Sequence, residues 1–350
     1  FEPSITMIGQ IKAGKTSLVN AMVGRPDLLP ADVNPWTSVV TSLHLNAALP
    51  ADAPTATFQF FNKDEWDHLI ENGGRIGELS ARAGADEEME KIRLQIAEMR
   101  DKTKRRLGRK FELLLGQKHN YAELNDELVQ RYVCMGDDFD DLDASGQQGR
   151  FADITKSADI YLTAATIPMP LCLRDTPGVN DTFMMREQIT INALRDSRIC
   201  VVVLSAHQAL SSMDMGLIRL ISNVKSREVV IFVNRIDELA NPAEQVPEIR
   251  DSILQTLIDN NGPETPELIF GSAYWANIAL GDNLDAIVAD SAEAMFNWAE
   301  ASLSTQTAGM GTKELVWHLS GLPALFGAIS DRITEGQGAE ILSTARKRAL

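Results

Sequence analysis

The nine residues GQIKAGKTS, Gly9 to Ser17, hold what a loop needs to cradle the phosphates of a nucleotide. Gly9, Gln10, Ile11, Lys12, Ala13, Gly14, Lys15 and Thr16 match GxxxxGK[ST] in full. In that pattern backbone N–H groups wrap a β-phosphate, and the N-terminus of the following helix adds positive potential. Lys15 would reach the β- and γ-phosphates, and the Thr16 hydroxyl would ligate Mg2+. Lys12 is a second cation for which the pattern has no use.

Three further motifs follow in order. Asp175-Thr176-Pro177-Gly178 offers an aspartate that can hold Mg2+ through water and a Gly178 N–H that can meet a γ-phosphate. In Asn234-Arg235-Ile236-Asp237 the Asp237 carboxylate can accept from both guanine N1–H and N2–H2, a donor pair adenine lacks. Asn234 would tie this loop to the phosphate loop, and the aliphatic stem of Arg235 can lie over the base. Ser272-Ala273 would place a backbone N–H near guanine O6. Each short motif is weak alone; four in order point to GTP and GDP as ligands.

Positioning these groups requires strands that end where the motifs begin. Apolar runs at ITMIG (5–9), LCLRD (171–175), ICVVVLS (199–205), EVVIFVN (228–234) and ELIFGSA (267–273) supply them. Unbroken Val/Ile/Leu runs are those of parallel strands covered on both faces. Helical patterns lie between: KTSLVNAMVG after the first, MREQITINALRDS before the third and MDMGLIRLISNV after it. The alternation predicts an α/β fold, with a mostly parallel central sheet flanked by helices and ligands at the carboxyl ends of its strands. SVVTSLHLNA (38–47) and ATFQFFN (56–62) read as a hairpin added to that sheet.

Residues 63–157 read as a mainly helical insertion. Met89, Ile92, Ile96 and Met99 form a 3-4-3 apolar seam, as in ordinary helix packing. RDKTKRRLGRK (100–110) carries seven basic residues and one acid, and reads as a solvated face or a contact for acidic lipid or an acidic partner. GDDFDDLDASG (136–146) opens like a calcium loop, but Ala152 stands where a bidentate glutamate is required, so it reads as an acidic loop.

Lys plus Arg total 33 against 49 Asp plus Glu, and the net charge of −16 argues against general nucleic-acid binding. Cys134, Cys172 and Cys200 show neither disulfide nor zinc spacing, which fits a reducing, cytoplasmic setting. No apolar run approaches the roughly 18 to 20 residues that cross a bilayer. Because ITMIG already reads as a buried strand, the chain is expected to be a fragment of a longer protein.

With these motifs in hand, the chain resembles the dynamin superfamily of large GTPases, most closely its bacterial dynamin-like members. LLPADVNPWTSVVTSLHL (28–45) is similar to that family's switch region, and Thr37 matches the switch threonine, which implies contact with Mg2+ and the attacking water. The long interval between Thr37 and Asp175 fits the resemblance, as does SGLPALFGAISDRITEGQGAEILSTARKRAL (320–350), which is similar to the helix leaving the GTPase domain. The resemblance implies a P-loop GTPase domain over 1–335 with its helical insertion, and the start of a helical bundle or neck over 336–350. It also implies a Mg2+-dependent GTPase, self-association through these domains, and membrane remodelling through lipid-binding regions outside this chain, peripheral at a membrane.

Two departures stand out. Eukaryotic dynamins carry a Gln-Ser pair where Ile11 and Lys12 stand here, and Ras-like enzymes place a water-orienting glutamine where Val179 stands. Catalysis would then lean on Lys15, Thr37, Gly178, Mg2+ and an added cation, for which Lys12 is the candidate, against a solvent-facing or ion-paired lysine. Trp36 is read as a lid, a dimer contact or an anchor for the switch. Two other readings stay open: a GTP-gated switch of the ribosome- or RNA-associated type with slow hydrolysis, and a GTP-binding module that does not hydrolyse.

Overall fold

The computed structural model describes residues 2–10, 12–31, 39–72, 101, 103–105, 107–133, 149–177, 197, 199–208, 210, 214–215, 218, 228–263, 266–281, 283–302 and 309–334. Ile11, Trp36, Thr37, Gly178, Val179, the apolar seam from Met89 to Met99, the helical pattern 185–197, the acidic loop 136–146 and residues 336–350 lie wholly or mainly outside them. The chain forms two compact units, one built mainly from 27–196, the other from Pro3–Gly9, Ala13–Pro26 and Ser197–Leu350.

In the second unit β1 (Ser4–Ile8), β7 (Ile199–Ser205), β8 (Glu228–Asn234) and β9 (Glu267–Phe270) pair in that order, all parallel. Their central residues are apolar and buried, as runs covered on both faces require. Six helices among the described residues accompany these strands. They are α1 (Lys15–Val23), α5 (Pro242–Asp259), α6 (Ala273–Leu280), α7 (Ala289–Ser302), α8 (Thr312–Leu319) and α9 (Leu322–Arg332). Arg332, in the last turn of α9, lies 3.4 Å from the Glu228 carboxylate and 3.3 Å from that of Glu267, pinning the helix to the starts of β8 and β9.

The first unit is mixed. Its strands are β2 (Val40–Leu45), β3 (Ala56–Phe60), β4 (Lys118–Tyr121), β5 (Thr155–Leu162) and β6 (Leu171–Asp175), in the order β4-β3-β5-β2-β6. Its described helices are α2 (Lys63–Asn72), α3 (Phe111–Leu114) and α4 (Asp126–Val133). Asn62 and Glu65 cap α2 reciprocally: Glu65 N–H donates to the Asn62 side chain at 2.7 Å, and Asn62 N–H to the Glu65 carboxylate at 3.0 Å. Phe58 and Tyr132 stack at 4.1 Å in a buried aromatic core under β3.

One expectation needs correction here. The hairpin of 38–47 with 56–62 does not form, because β5 lies between β2 and β3 and pairs with both. β5 reads TKSADIYL, with half of its residues polar and several only half-buried, so it lacks the apolar signature of its neighbours. Within 63–157 the described residues also carry β4, a four-residue edge strand of alternating exposure, and the start of β5. β6 runs antiparallel to its neighbour β2.

The basic stretch is helical at its described positions up to Leu107. It turns Thr103, Leu107 and Phe111 inward, while Lys104, Arg105 and Lys110 are exposed. Thr103 hydroxyl donates to the Asp153 carboxylate at 3.1 Å. The buried face follows i, i+4, i+8 spacing, which leaves Lys104, Arg105 and Lys110 in solvent.

His44 of β2 gives this unit a pH-dependent element. Its ring stacks on Tyr161 at 4.4 Å, with Nδ1 2.9 Å from the Glu2 carboxylate and Nε2 3.4 Å from that of Asp159. Burial lowers the imidazole pKa, but the hydrogen bonds to Asp159 and Glu2 with their charges outweigh it and leave it raised above 6.5. A raised folded-state value contributes stability that is complete below the unfolded value and lost as pH rises through the folded one. His44→Gln should therefore destabilise the protein more at pH 5.5 than at pH 8.5, by up to about 1 kcal/mol. Urea midpoints at the two pH values check it; an equal loss at both would contradict the assignment.

Candidate nucleotide site

The parallel register of the second unit pairs Ile8 with Val202, Ser205 with Asn234 and Val233 with Phe270, so the carboxyl ends of four strands line one edge. The loops leaving that edge carry Gly9, Asn234 and Ser272. Gly9 is forced by its neighbour: a Cβ there would lie 2.2 Å from the Val203 carbonyl oxygen. Gly14 caps α1 in the left-handed region at φ 85, and a Cβ there would lie 2.2 Å from Asn234 Nδ2. The first turn of α1 holds no acidic residue, so no carboxylate of its own opposes its dipole. Lys15 is 6% exposed and its ammonium donates to the Gly9 carbonyl at 3.1 Å, which holds it over the loop. Thr16 and Ser17 follow, both half-buried.

Asn234 is the hub. Its Nδ2 donates to the Ala13 carbonyl at 2.9 Å, and its Oδ1 accepts from the Ala273 N–H at 2.9 Å, both buried. One side chain thus fixes both the phosphate loop and the loop after β9 to the end of β8. Asp237 is 7% exposed within the short 3-10 turn Ile236–Glu238. Burial pushes its carboxyl up, while a hydrogen bond from Ser272 counters part of that. A desolvated carboxylate is a strong acceptor for a pair of N–H donors. Ser272 is fully buried, and its Oγ accepts from the Trp275 N–H at 3.1 Å as the cap of α6. Arg235 takes φ 71, uncommon for a residue with a side chain, and its guanidinium meets the Glu238 carboxylate at 2.5 Å.

In the first unit, Gln10 is buried and Lys12 exposed, with Lys12 in the left-handed region at φ 63. Asp175 and Thr176 are fully buried at the carboxyl end of β6. Among the described residues no group of three or more His, Cys, Asp and Glu side chains could hold a metal. A hydroxyl and a carboxylate completed by waters and phosphate oxygens suit Mg2+, which seldom takes an all-protein cage.

Sequence reasoning missed two supports. Asn277, one turn into α6, donates from Nδ2 to the Ser17 carbonyl at 2.9 Å and to that of Ala273 at 2.8 Å, joining α1 to α6. Ser320, in the elbow between α8 and α9, accepts from the Ser272 N–H through its carbonyl at 2.9 Å. Neither has a local signature, since both contacts are made across the fold.

Comparison with known proteins agrees with this geometry. A profile described as the Dynamin family matches residues 5–237. Dynamin-like protein 1 of Campylobacter jejuni subsp. jejuni serotype O:23/36 (strain 81-176) is 23% identical over 263 residues, covering 74% of this chain and 31% of that protein. Two solved chains of an oligomerised bacterial dynamin pair, described as providing a mechanism for the long-range sensing and tethering of membranes, align over 100% of this chain. Their TM-scores are 0.55 and 0.57 at 18% and 20% identity, with 52% and 53% of those chains covered. This chain therefore spans less than a third of the curated relative and about half of the solved neighbours. Among the described residues no helix is long and apolar enough to cross a membrane. Fold, phosphate loop and profile agree: the chain belongs to the dynamin family of GTPases.

Proposed function

We propose that this chain, as a GTPase domain over 1–335, binds GTP with Mg2+ and hydrolyses it to GDP and phosphate, with turnover raised when two such domains associate. The observation that carries the reading is the Asn234 tie between Ala13 and Ala273, which holds a phosphate loop and a base loop in one rigid frame. Lys15 and the backbone of Gly9 to Ser17 hold the phosphates, and Asn234, Arg235, Asp237, Ser272 and Ala273 hold the guanine. Thr16, Thr37 and Asp175 hold Mg2+, while Gly178 meets the γ-phosphate. Self-association is supported by the solved neighbours, which form an oligomerised pair. Their description also supports action at a membrane, with lipid contact made by parts of the full protein outside this chain.

Lys12 serves in this reading as the cation near the bridging oxygen between β- and γ-phosphate, where loose phosphoryl transfer gains most from positive charge. The test is GTP turnover against protein concentration in KCl, NaCl and choline chloride. Specific activity should rise with concentration and be alike in all three salts. Lys12→Ala and Lys12→Gly should both lose about tenfold in kcat, because each removes the charge while only glycine relieves the left-handed backbone. Flat specific activity would overturn the coupling to association; dependence on K+ or Na+ would overturn the role of Lys12.

A further inference from the structure

We propose that Glu238, buttressed by His207, is a positioning residue for the guanine site, acting through Arg235. The inference rests on the reading above, in which the stem of Arg235 flanks the base. Both oxygens of the Glu238 carboxylate are engaged. Oε1 accepts from Arg235 Nε at 2.8 Å and Nη2 at 2.5 Å, and Oε2 lies 3.1 Å from His207 Nε2. The backbone closes the same turn, since Glu238 N–H donates to the Arg235 carbonyl at 3.2 Å.

His207 is itself placed. It follows β7 in a turn whose Ala206 N–H donates to the Asn234 carbonyl at 2.8 Å, and its own N–H donates to Ser205 Oγ at 3.4 Å. A chain of contacts therefore runs from the end of β7 through His207 and Glu238 to the guanidinium beside the hub asparagine.

The physical reason such a brace matters is entropy. An arginine side chain carries much rotamer freedom, and a stem that must lie against a base loses it on binding unless it is lost already on folding. Arg235 also sits at φ 71, which sets the direction in which its side chain leaves the turn. Glu238 then selects the rotamer, and Asp237 between them is carried by the same short turn. The Arg235 and Glu238 side chains are 36% and 40% exposed, so screening keeps the effect modest.

The test uses the whole chain, with a fluorescent GDP analogue titrated against Glu238→Ala, Glu238→Gln, His207→Ala, Arg235→Ala and the double variant Arg235→Ala/Glu238→Ala. Glu238→Ala should weaken binding about three- to fivefold, with the loss in turnover falling on KM rather than kcat. Glu238→Gln, which still accepts from Arg235, should recover most of it, and His207→Ala should show a smaller loss in the same direction. In the Arg235→Ala background Glu238→Ala should add nothing. Glu238→Ala binding like the wild type while Arg235→Ala binds weakly would overturn the inference alone. So would an equal loss from Glu238→Ala with and without Arg235. Arg235→Ala binding as tightly as the wild type would instead overturn the placement of Arg235 at the base, on which the inference stands.

Discussion

Asn234→Ala will weaken GDP binding by about 100-fold or more while the domain still folds, because each of two buried backbone groups left without a partner costs about 1–3 kcal/mol. The wild-type side chain satisfies the Ala13 carbonyl and the Ala273 N–H, both at 2.9 Å and both buried. With alanine the two loops lose their shared fixing point, and the side chain that fills the space against Gly14 is gone. Part of the cost appears as lower stability and part as the work of re-forming the frame around the nucleotide. Asn234→Asp separates the two bonds. It keeps an acceptor for Ala273 N–H but turns a carboxylate oxygen toward the Ala13 carbonyl, so its affinity should be no better than that of alanine. Titration with a fluorescent GDP analogue, beside thermal melting of the unliganded protein, reads both effects. A dissociation constant for Asn234→Ala within twofold of wild type would remove Asn234 from the centre of the site.

What could be read from the sequence divides along the same physical line. β7 and β8 run over the residues that their apolar runs mark out, because a strand covered on both faces has no room for polar side chains. The phosphate loop is legible for a similar reason: backbone that closes on a phosphate tolerates few residue types, and the clashes waiting at Gly9 and Gly14 show why. β5 was illegible because Lys156, Ser157 and Asp159 interrupt its apolar pattern, and without it β2 and β3 looked like neighbours. The left-handed turns at Lys12 and Arg235 were illegible too, since lysine and arginine give no local sign of positive φ. Asn277, Glu238 and Ser320 support the site through contacts made after the elements pack, and no spacing rule announces such contacts.

Gly271→Ala and Gly321→Ala should each destabilise the protein by about 3 kcal/mol or more and weaken nucleotide binding with it. The two glycines face one another where the α8–α9 elbow meets the loop after β9. A Cβ on Gly271 would lie 2.1 Å from the Ser320 carbonyl oxygen and 2.7 Å from the Phe232 ring, and one on Gly321 would lie 2.5 Å from the Phe270 carbonyl oxygen. All three obstacles belong to strand, ring or backbone that is fully or nearly buried, so none can swing aside. Gly321 also takes φ 78, adding about 1–2 kcal/mol of strain for any residue with a side chain. The contact they permit is the bond from the Ser272 N–H to the Ser320 carbonyl at 2.9 Å, directly behind the residue that hydrogen-bonds to Asp237. Pushing the elbow away therefore moves the base loop as well as loosening the packing. The double variant should cost less than the two single losses together, because both break one interface. Gly327→Ala is the internal contrast: it lies within α9 with open space where its Cβ would go, so it should be neutral or stabilise by up to about 1 kcal/mol. Urea unfolding and GDP titration of the four variants decide the matter, and a Gly271→Ala protein as stable as Gly327→Ala would show that the elbow yields freely and does not position the loop.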